Sequence, residues 1–363
     1  MRRSVPPPHP SRRAFTFGAA ALLGAAAVPA LPGAARAGAR TGGWTTQPVP
    51  GAQPDTMINA IAAPTRRSAF AVGVESGAAG RAPVALHWED GAWRRVPVPA
   101  GVVPDLVDVA ARTPARAWAI AQSSAWTDDP LVLRWKGGAW AAAEAPVGEW
   151  VALDLDRSGR PWMIGGEVDD HLGPRAAVYR RDRTGWTRLL HGPLAEAFTA
   201  ISVRTSSDVW VGGYGSLRHF DGQTWTERTI PDPSGYAHWV LQIEHVSASE
   251  AWFLTVLTHP LDMTARLVRW DGTGFTAHRL PRPSSDVGTR SAIGFLGSLT
   301  TDGHGGAWVG DGMYRTLRHF DGTTWTVADV PMQGANQIHT LTRIPHSRMV
   351  WAGGRLPYTL RLT

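Results

Sequence analysis

Short apolar runs alternating with polar residues recur along the chain, and residues 198–231 show one unit whole. Phe198-Thr199-Ala200-Ile201-Ser202-Val203 alternates with period two, the signature of a strand with one buried face, and Thr205-Ser206-Ser207-Asp208 follows as a polar turn. Residues 209–213, Val-Trp-Val-Gly-Gly, are apolar at adjacent positions, as a strand must be when both faces of its sheet are covered. Residues 216–220 predict a third strand and Asp221-Gly222 a hairpin turn; 225–230 predict a fourth strand, stopped by Pro231. The mature chain shows no convincing long helical stretch.

Two aromatic series carry this unit through the sequence. One sits in the apolar runs: Phe70, Trp118, Trp162, Trp210, Trp252, Trp308 and Trp351. The other follows a glycine turn: Trp44, Trp93, Trp140, Trp186, Trp225, Phe275 and Trp325. Each series has seven members at spacings of roughly 40–55 residues, which is the period of propeller blades rather than of ankyrin or leucine-rich repeats. The segment 317–325, LRHFDGTTW, nearly repeats 217–225. The last apolar run is followed by one more strand only, 358–362, and residues 44–50 offer an unpaired one. The expectation is an all-β, seven-bladed β-propeller of four-stranded antiparallel blades, its ring closed by the N-terminal strand pairing in the C-terminal blade. The units fall near 52–100, 101–147, 148–193, 194–231, 232–283, 284–333, and 334–363 with 41–51.

The order of apolar strand, Gly-Gly, third strand, Asp-Gly, Trp and Pro resembles a kelch-type blade. It is clearest at Trp210-Val211-Gly212-Gly213…Trp225…Pro231 and good at Trp162…Gly165-Gly166…Trp186; Ala121-Gln122 and Leu254-Thr255 stand where the glycine pair is expected elsewhere. Kelch-like secreted propellers include galactose-oxidase-like enzymes, whose copper cofactor needs a cysteine-crosslinked tyrosine. The chain has no Cys, so that cofactor is excluded, together with disulfides and thiolate zinc sites.

Charge changes the picture only through where it sits. The 363 residues carry a formal charge of +6. Arg2, Arg3, Arg12, Arg13 and Arg36 fall within the first 37 residues, which hold no acid, so the remainder is near neutral. No basic footprint for nucleic acid is left. Ser11-Arg12-Arg13-Ala14-Phe15 resembles a twin-arginine export signal; a mildly apolar Ala/Gly stretch follows, and Ala35-Arg36-Ala37 offers small residues for cleavage. Residues 1–37 are thus expected to be a leader and 38–363 a propeller, secreted by the twin-arginine route as in high-GC bacteria, without membrane insertion after cleavage and as a monomer.

Sites in such folds lie on loops held by a rigid scaffold. Long loops joining second to third strands are expected at 73–84, 121–131, 165–177 and 255–266, with long blade connections at 231–238 and 281–292. Trp126, Tyr214, Tyr236, Trp239 and Tyr314 offer flat apolar faces with polar edges, suited to stacking on sugar rings. The expected ligand-binding set is Trp126, Asp128, Asp169, Tyr236, Arg290 and Tyr314, for a carbohydrate or protein partner. Trp239 competes as an innermost-strand core residue. Asp129, Asp170, His171 and His259 are the candidates for acid/base chemistry or a divalent cation in an alternative polysaccharide hydrolase or lyase; no cofactor is otherwise implied. A protein-interaction scaffold is a third reading. Asp302-Gly303-His304-Gly305-Gly306 reads as a structural turn on the opposite face, and His87, His219 and His319 as repeat features.

Overall fold

The computed structural model describes residues 43–77, 80–101, 105–122, 131–169, 173–194, 196–258, 265–281, 297–311, 316–331 and 337–363. Five four-stranded antiparallel sheets stand separately. Blade A comprises Asp105–Thr113, Arg116–Gln122, Leu131–Lys136 and Ala139–Ala143; blade B comprises Glu149–Leu155, Pro161–Asp169, Gly173–Arg181 and Trp186–Leu194. Blade C is Phe198–Thr205, Asp208–Gly213, Leu217–Phe220 and Trp225–Glu227. Blade D is His238–Ser247, Glu250–Leu257, Ala265–Trp270 and Phe275–Arg279, and blade E is Ser298–Thr301, Ala307–Asp311, Thr316–Phe320 and Trp325–Val327.

The expected seven separate blades are corrected here: five stand alone, and the other eight strands form one hydrogen-bonded sheet. In it, Met57–Thr65, Ser68–Gly77, Gly80–Glu89 and Ala92–Arg95 run on one side, and Gln337–Arg343, Val350–Arg355, Tyr358–Leu362 and Trp44–Pro48 on the other. The single register pair Met57↔Arg355 joins the two runs, and the Arg355 guanidinium donates to Asp55 just before it, holding the two strand ends together. Trp44–Pro48 pairs antiparallel with Tyr358–Leu362, Trp44 opposite Leu362 and Pro48 opposite Tyr358.

Side chains of the innermost strands tie neighbouring sheets together. Asp108 accepts from the Leu153 amide at 2.8 Å, Asp154 from Val203 at 2.7 Å, Ser202 from His245 at 3.1 Å and Gln242 from Leu299 at 2.6 Å. Thr300 accepts from Arg343 at 3.1 Å and Thr340 from Ile61 at 3.3 Å, while Asn59 donates to the Leu106 carbonyl at 2.8 Å. These bonds satisfy backbone groups that the bulged inner strands leave open.

The hydrophobic core lies between sheets rather than within one. Trp210, Ala200 and Leu217 of blade C pack with Val240, Ala251, Phe253 and Val268 of blade D, and equivalent clusters join the other neighbours. The first aromatic series is buried throughout. In register, each member faces a cationic or imidazole side chain on the third strand. Trp118, Trp162, Trp252 and Trp351 face Arg134, Arg180, Arg269 and Arg361, with guanidinium carbons 5.0–5.6 Å from the ring centres. Phe70, Trp210 and Trp308 face His87, His219 and His319 at 4.5–4.7 Å between rings. The histidines are therefore structural, bonded to Ser68, Asp208 and Asp302 at 3.0, 2.7 and 2.8 Å. In the second series Trp44, Trp93 and Trp140 are buried, while Trp186, Trp225, Phe275 and Trp325 are half-buried. Trp186 and Trp225 donate through Nε1 to the Glu144 and Leu189 carbonyls of the preceding sheet.

Two expected loops are strands instead. Pairing continues from Gly73↔Val84 out to Gly77↔Gly80, and from Gly165↔Ala177 out to Asp169↔Gly173. Residues 73–77 with 80–84, and 165–169 with 173–177, thus pair as strands, and the ladders run on past Pro83 and Pro174, which have no amide to donate.

Candidate functional site

The face carrying the hairpins between second and third strands and the blade-to-blade connections brings together aromatics from blades C and D. Gly213-Tyr214-Gly215 caps blade C, and Gly215 adopts φ +67°, a left-handed turn that favours glycine. The tip is bonded to the start of the next blade: the Gly215 amide donates to the His238 carbonyl at 3.0 Å, and Tyr214 forms a β-bridge with Trp239. Their rings meet edge-on, centroids 6.2 Å apart. Tyr214 is 63 % exposed. Trp239 is half-buried rather than core, its Nε1 donating to Thr199 Oγ1 at 3.3 Å.

Tyr236 reaches the same region on the connection between the two blades. Asp232 accepts from the Ser234 amide at 2.9 Å, Gly235 donates back to the Asp232 carbonyl at 3.0 Å, and Gly235 has φ +73°. This Asx turn between Pro231 and Tyr236 leaves Tyr236 38 % exposed. Beneath it His238 is buried; its Nδ1 bonds Thr255 Oγ1 at 2.9 Å and its Nε2 lies 4.0 Å from Asp232. Burial lowers the His238 pKa, opposed by Asp232 and reinforced by Arg266, so the ring is neutral at pH 7. On the other flank of blade C, Glu196 accepts from Ser216 and from Arg218, the latter at 2.9 Å. A further polar cluster on blade B sets Glu167 against Tyr179, Arg188 and His191, and burial with the Glu167 bond pushes the Tyr179 hydroxyl up to about 12.

Of the ligand-binding set expected from sequence, Tyr236 stands exposed at this position, and Asp169 ends the Pro161–Asp169 strand opposite Gly173. Trp126, Asp128, Arg290 and Tyr314 lie outside the described residues, as do the acid/base candidates Asp129, Asp170, His171 and His259. His191 and His238 belong to this face, whereas His304 lies in a turn on the other. No group of three metal-ligating side chains occurs among the described residues. The pairing of Tyr214 with Trp239 is the feature sequence reasoning passed over. The two glycines flanking Tyr214 are its sequence signal, since a tight tip leaves a large ring nowhere to bury.

Deeper along the axis the innermost strands place ionisable groups together. Arg112 of blade A reaches across blade B, donating through Nε to the Leu155 carbonyl at 2.8 Å and through its terminal nitrogen to the Val203 carbonyl of blade C at 2.7 Å. Burial pushes Asp108 up to about 7 against the bonds from Leu153 and Val109, and raises Asp154 against the Arg112 charge. Burial also pushes Glu244 up to about 7, against Arg343 and with help from Asp154. The folded state thus holds the Glu244 proton more tightly than the unfolded chain. Its contribution to stability is present below about pH 4.5 and is lost as pH rises through 7. Glu244→Gln removes that loss: its Tm relative to the parent is expected to be about 2–4 °C more favourable at pH 8 than at pH 5 by calorimetry. An unchanged difference between the two pH values contradicts this.

No family model matches the chain, and no curated protein matches it. Solved structures do match in fold. YCF48 bound to D1 peptide shares 15 % identity over 88 % of this chain and 96 % of its own, with a TM-score of 0.60. Virginiamycin B lyase from Staphylococcus aureus shares 11 % identity over 88 % and 99 %, TM-score 0.65. The WD40 β-propeller domain of Doa1 shares 12 % over 89 % and 97 %, TM-score 0.59. At these identities the likeness establishes the β-propeller fold and nothing finer. The neighbours span a peptide-bound protein and a lyase.

Proposed function

We propose that this chain is an exported, non-catalytic binding propeller that holds a carbohydrate polymer on the face where blades C and D meet. The observation that carries the reading is the exposed Tyr214 set edge-on to Trp239, with Tyr236 exposed on the connection that leads into the same blade. A sugar ring has an apolar face and a polar rim, and stacked aromatics with hydrogen-bonding edges match both. Asp232 and Ser234 form the turn that carries Tyr236. The Arg12-Arg13 leader and Ala35-Arg36-Ala37 support export by the twin-arginine route.

The test is retention of the purified chain on insoluble polysaccharides and cell-wall fractions. Tyr214→Ala and Trp239→Ala are each expected to weaken retention about tenfold or more, the size of an aromatic anchor at a binding centre, with the fold kept. Retention on every glycan unchanged in both variants removes the proposal. Binding to peptides alone replaces the carbohydrate by a polypeptide, and release of shortened or unsaturated sugar products replaces binding by catalysis.

A further inference from the structure

The opposite face, where first strands turn into second, holds a cleft of about 620 Å³. Its wall is basic. Arg66, Arg343 and Arg348 line it with His304, and Glu250 is the acid among the lining residues. Glu250 is already engaged, bonded by Arg269 at 3.0 Å and by Trp252 Nε1 at 3.1 Å. Asp302 in the adjoining turn is engaged too, accepting the His304 and Gly306 amides at 2.7 and 3.0 Å and bonding His319 at 2.8 Å. These bonds outweigh its burial and hold its carboxyl at about 2.

The floor carries buried polar atoms without a partner. Thr301 is 2 % exposed and its Oγ1 has none; the Arg343 Nε is likewise buried and unbonded, although its terminal nitrogen donates to the Ser347 carbonyl at 3.3 Å. Such groups are costly unless something pairs with them. Arg348 is held in place, its Nε donating to His304 Nε2 at 2.8 Å. The turn that carries it contains His346 at φ +56°, a left-handed conformation unusual for a residue with a side chain. Gly303 opposite, at φ +80°, lets the Arg343 head approach to where a Cβ would be 2.9 Å away. Backbone freedom is thus used here to bring guanidinium groups inward.

We propose that this cleft is a binding site for a tetrahedral oxyanion, the phosphate or sulfate group of a ligand, held by Arg66, Arg343 and Arg348 with the Thr301 hydroxyl as a further donor. The guanidiniums come from two turns, Arg66 from the one after Met57–Thr65 and Arg343 and Arg348 from the two ends of the one before Val350–Arg355, which suits an acceptor with oxygens in several directions better than a flat carboxylate. The site is on the face away from the aromatic surface and does not depend on it.

The experiment is calorimetric titration of the full chain with inorganic phosphate and, separately, sulfate and acetate. Saturable one-to-one binding of phosphate and sulfate is expected, with acetate at least about tenfold weaker. Arg348→Gln and Arg66→Gln, both at exposed positions, are each expected to weaken phosphate about tenfold, and Trp239→Ala to leave it unchanged. No saturable binding, or equal affinity in the Arg66→Gln/Arg348→Gln double variant, overturns the site. Acetate binding as tightly as phosphate overturns the tetrahedral ligand, and loss of phosphate in Trp239→Ala places binding elsewhere.

Discussion

Trp210→Ala is expected to destabilise the chain by about 4 kcal/mol, the largest effect of any single substitution considered. The indole is 1 % exposed and lies between two sheets, edge-on to Phe253 at 5.2 Å and Trp270 at 5.9 Å, with His219 at 4.5 Å on its other side. Truncation removes the transfer free energy of the ring and leaves a cavity that neither sheet can fill, since each is held by its own ladder. It also exposes the Asp208–His219 pair, whose ring loses its packing partner. Urea unfolding reads the effect directly. Trp325→Ala is the comparison: that ring is half-buried on a three-residue outer strand and its loss is expected to cost about half as much. A cost for Trp210→Ala under about 1 kcal/mol means that the inter-sheet clusters do not hold the ring of blades together.

Gly213→Ala ranks next, at about 3 kcal/mol. A Cβ at this position would lie 1.8 Å from the Ala197 carbonyl oxygen, and the obstacle is backbone rather than a side chain that can swing away. The same approach recurs at Gly73, Gly165 and Gly354, with Cβ-to-oxygen distances of 1.8–1.9 Å. Each of these glycines pairs with the inner-strand residue just before a bulge, as Gly213 pairs with Phe198. The glycine of the apolar run is therefore a spacing requirement of the bulged inner strand, and no positive φ is involved. Blades A and D carry Ala121 and Thr255 at the corresponding register, opposite Leu106 and Val240, so a bulge with more room takes a side chain. An unfolding midpoint for Gly213→Ala within experimental error of the parent shows that blade C can make that room as well.

The parts of this architecture that are local were legible in the residues. The strands expected over 198–203, 209–213 and 216–220 are found as Phe198–Thr205, Asp208–Gly213 and Leu217–Phe220, because alternation and turn chemistry act within a few residues. The fourth ends at Glu227 rather than near Ile230, as outer strands have one partner only. The joining of eight strands into one sheet was not legible: it rests on one pair, Met57↔Arg355, between residues about three hundred positions apart. The stretches 73–84 and 165–177 suggest loops because glycines and small residues fill them, whereas pairing continues out to Gly77↔Gly80 and Asp169↔Gly173. For the site, Tyr214, Tyr236 and Trp239 were recognisable as aromatics near turns. The meeting of Tyr214 with Trp239 depends on the bond from Gly215 to the His238 carbonyl, which joins two blades and leaves no trace in either segment alone. The basic cleft was missed for a similar reason. Its arginines come from two turns, one holding Arg66 and one with Arg343 and Arg348 at its ends, and the His304 turn between Asp302 and Gly306 reads as structure, which it also is.

In the proposed function a polymer ligand meets the protein at the aromatic face of blades C and D. The most direct measurement compares retention of the parent, Trp239→Ala and Arg348→Gln on the same polysaccharide panel, with unfolding curves confirming that all three are folded. Trp239→Ala is expected to lose about tenfold or more while Arg348→Gln is retained like the parent. Retention lost in Arg348→Gln and kept in Trp239→Ala contradicts it and moves the ligand to the opposite face.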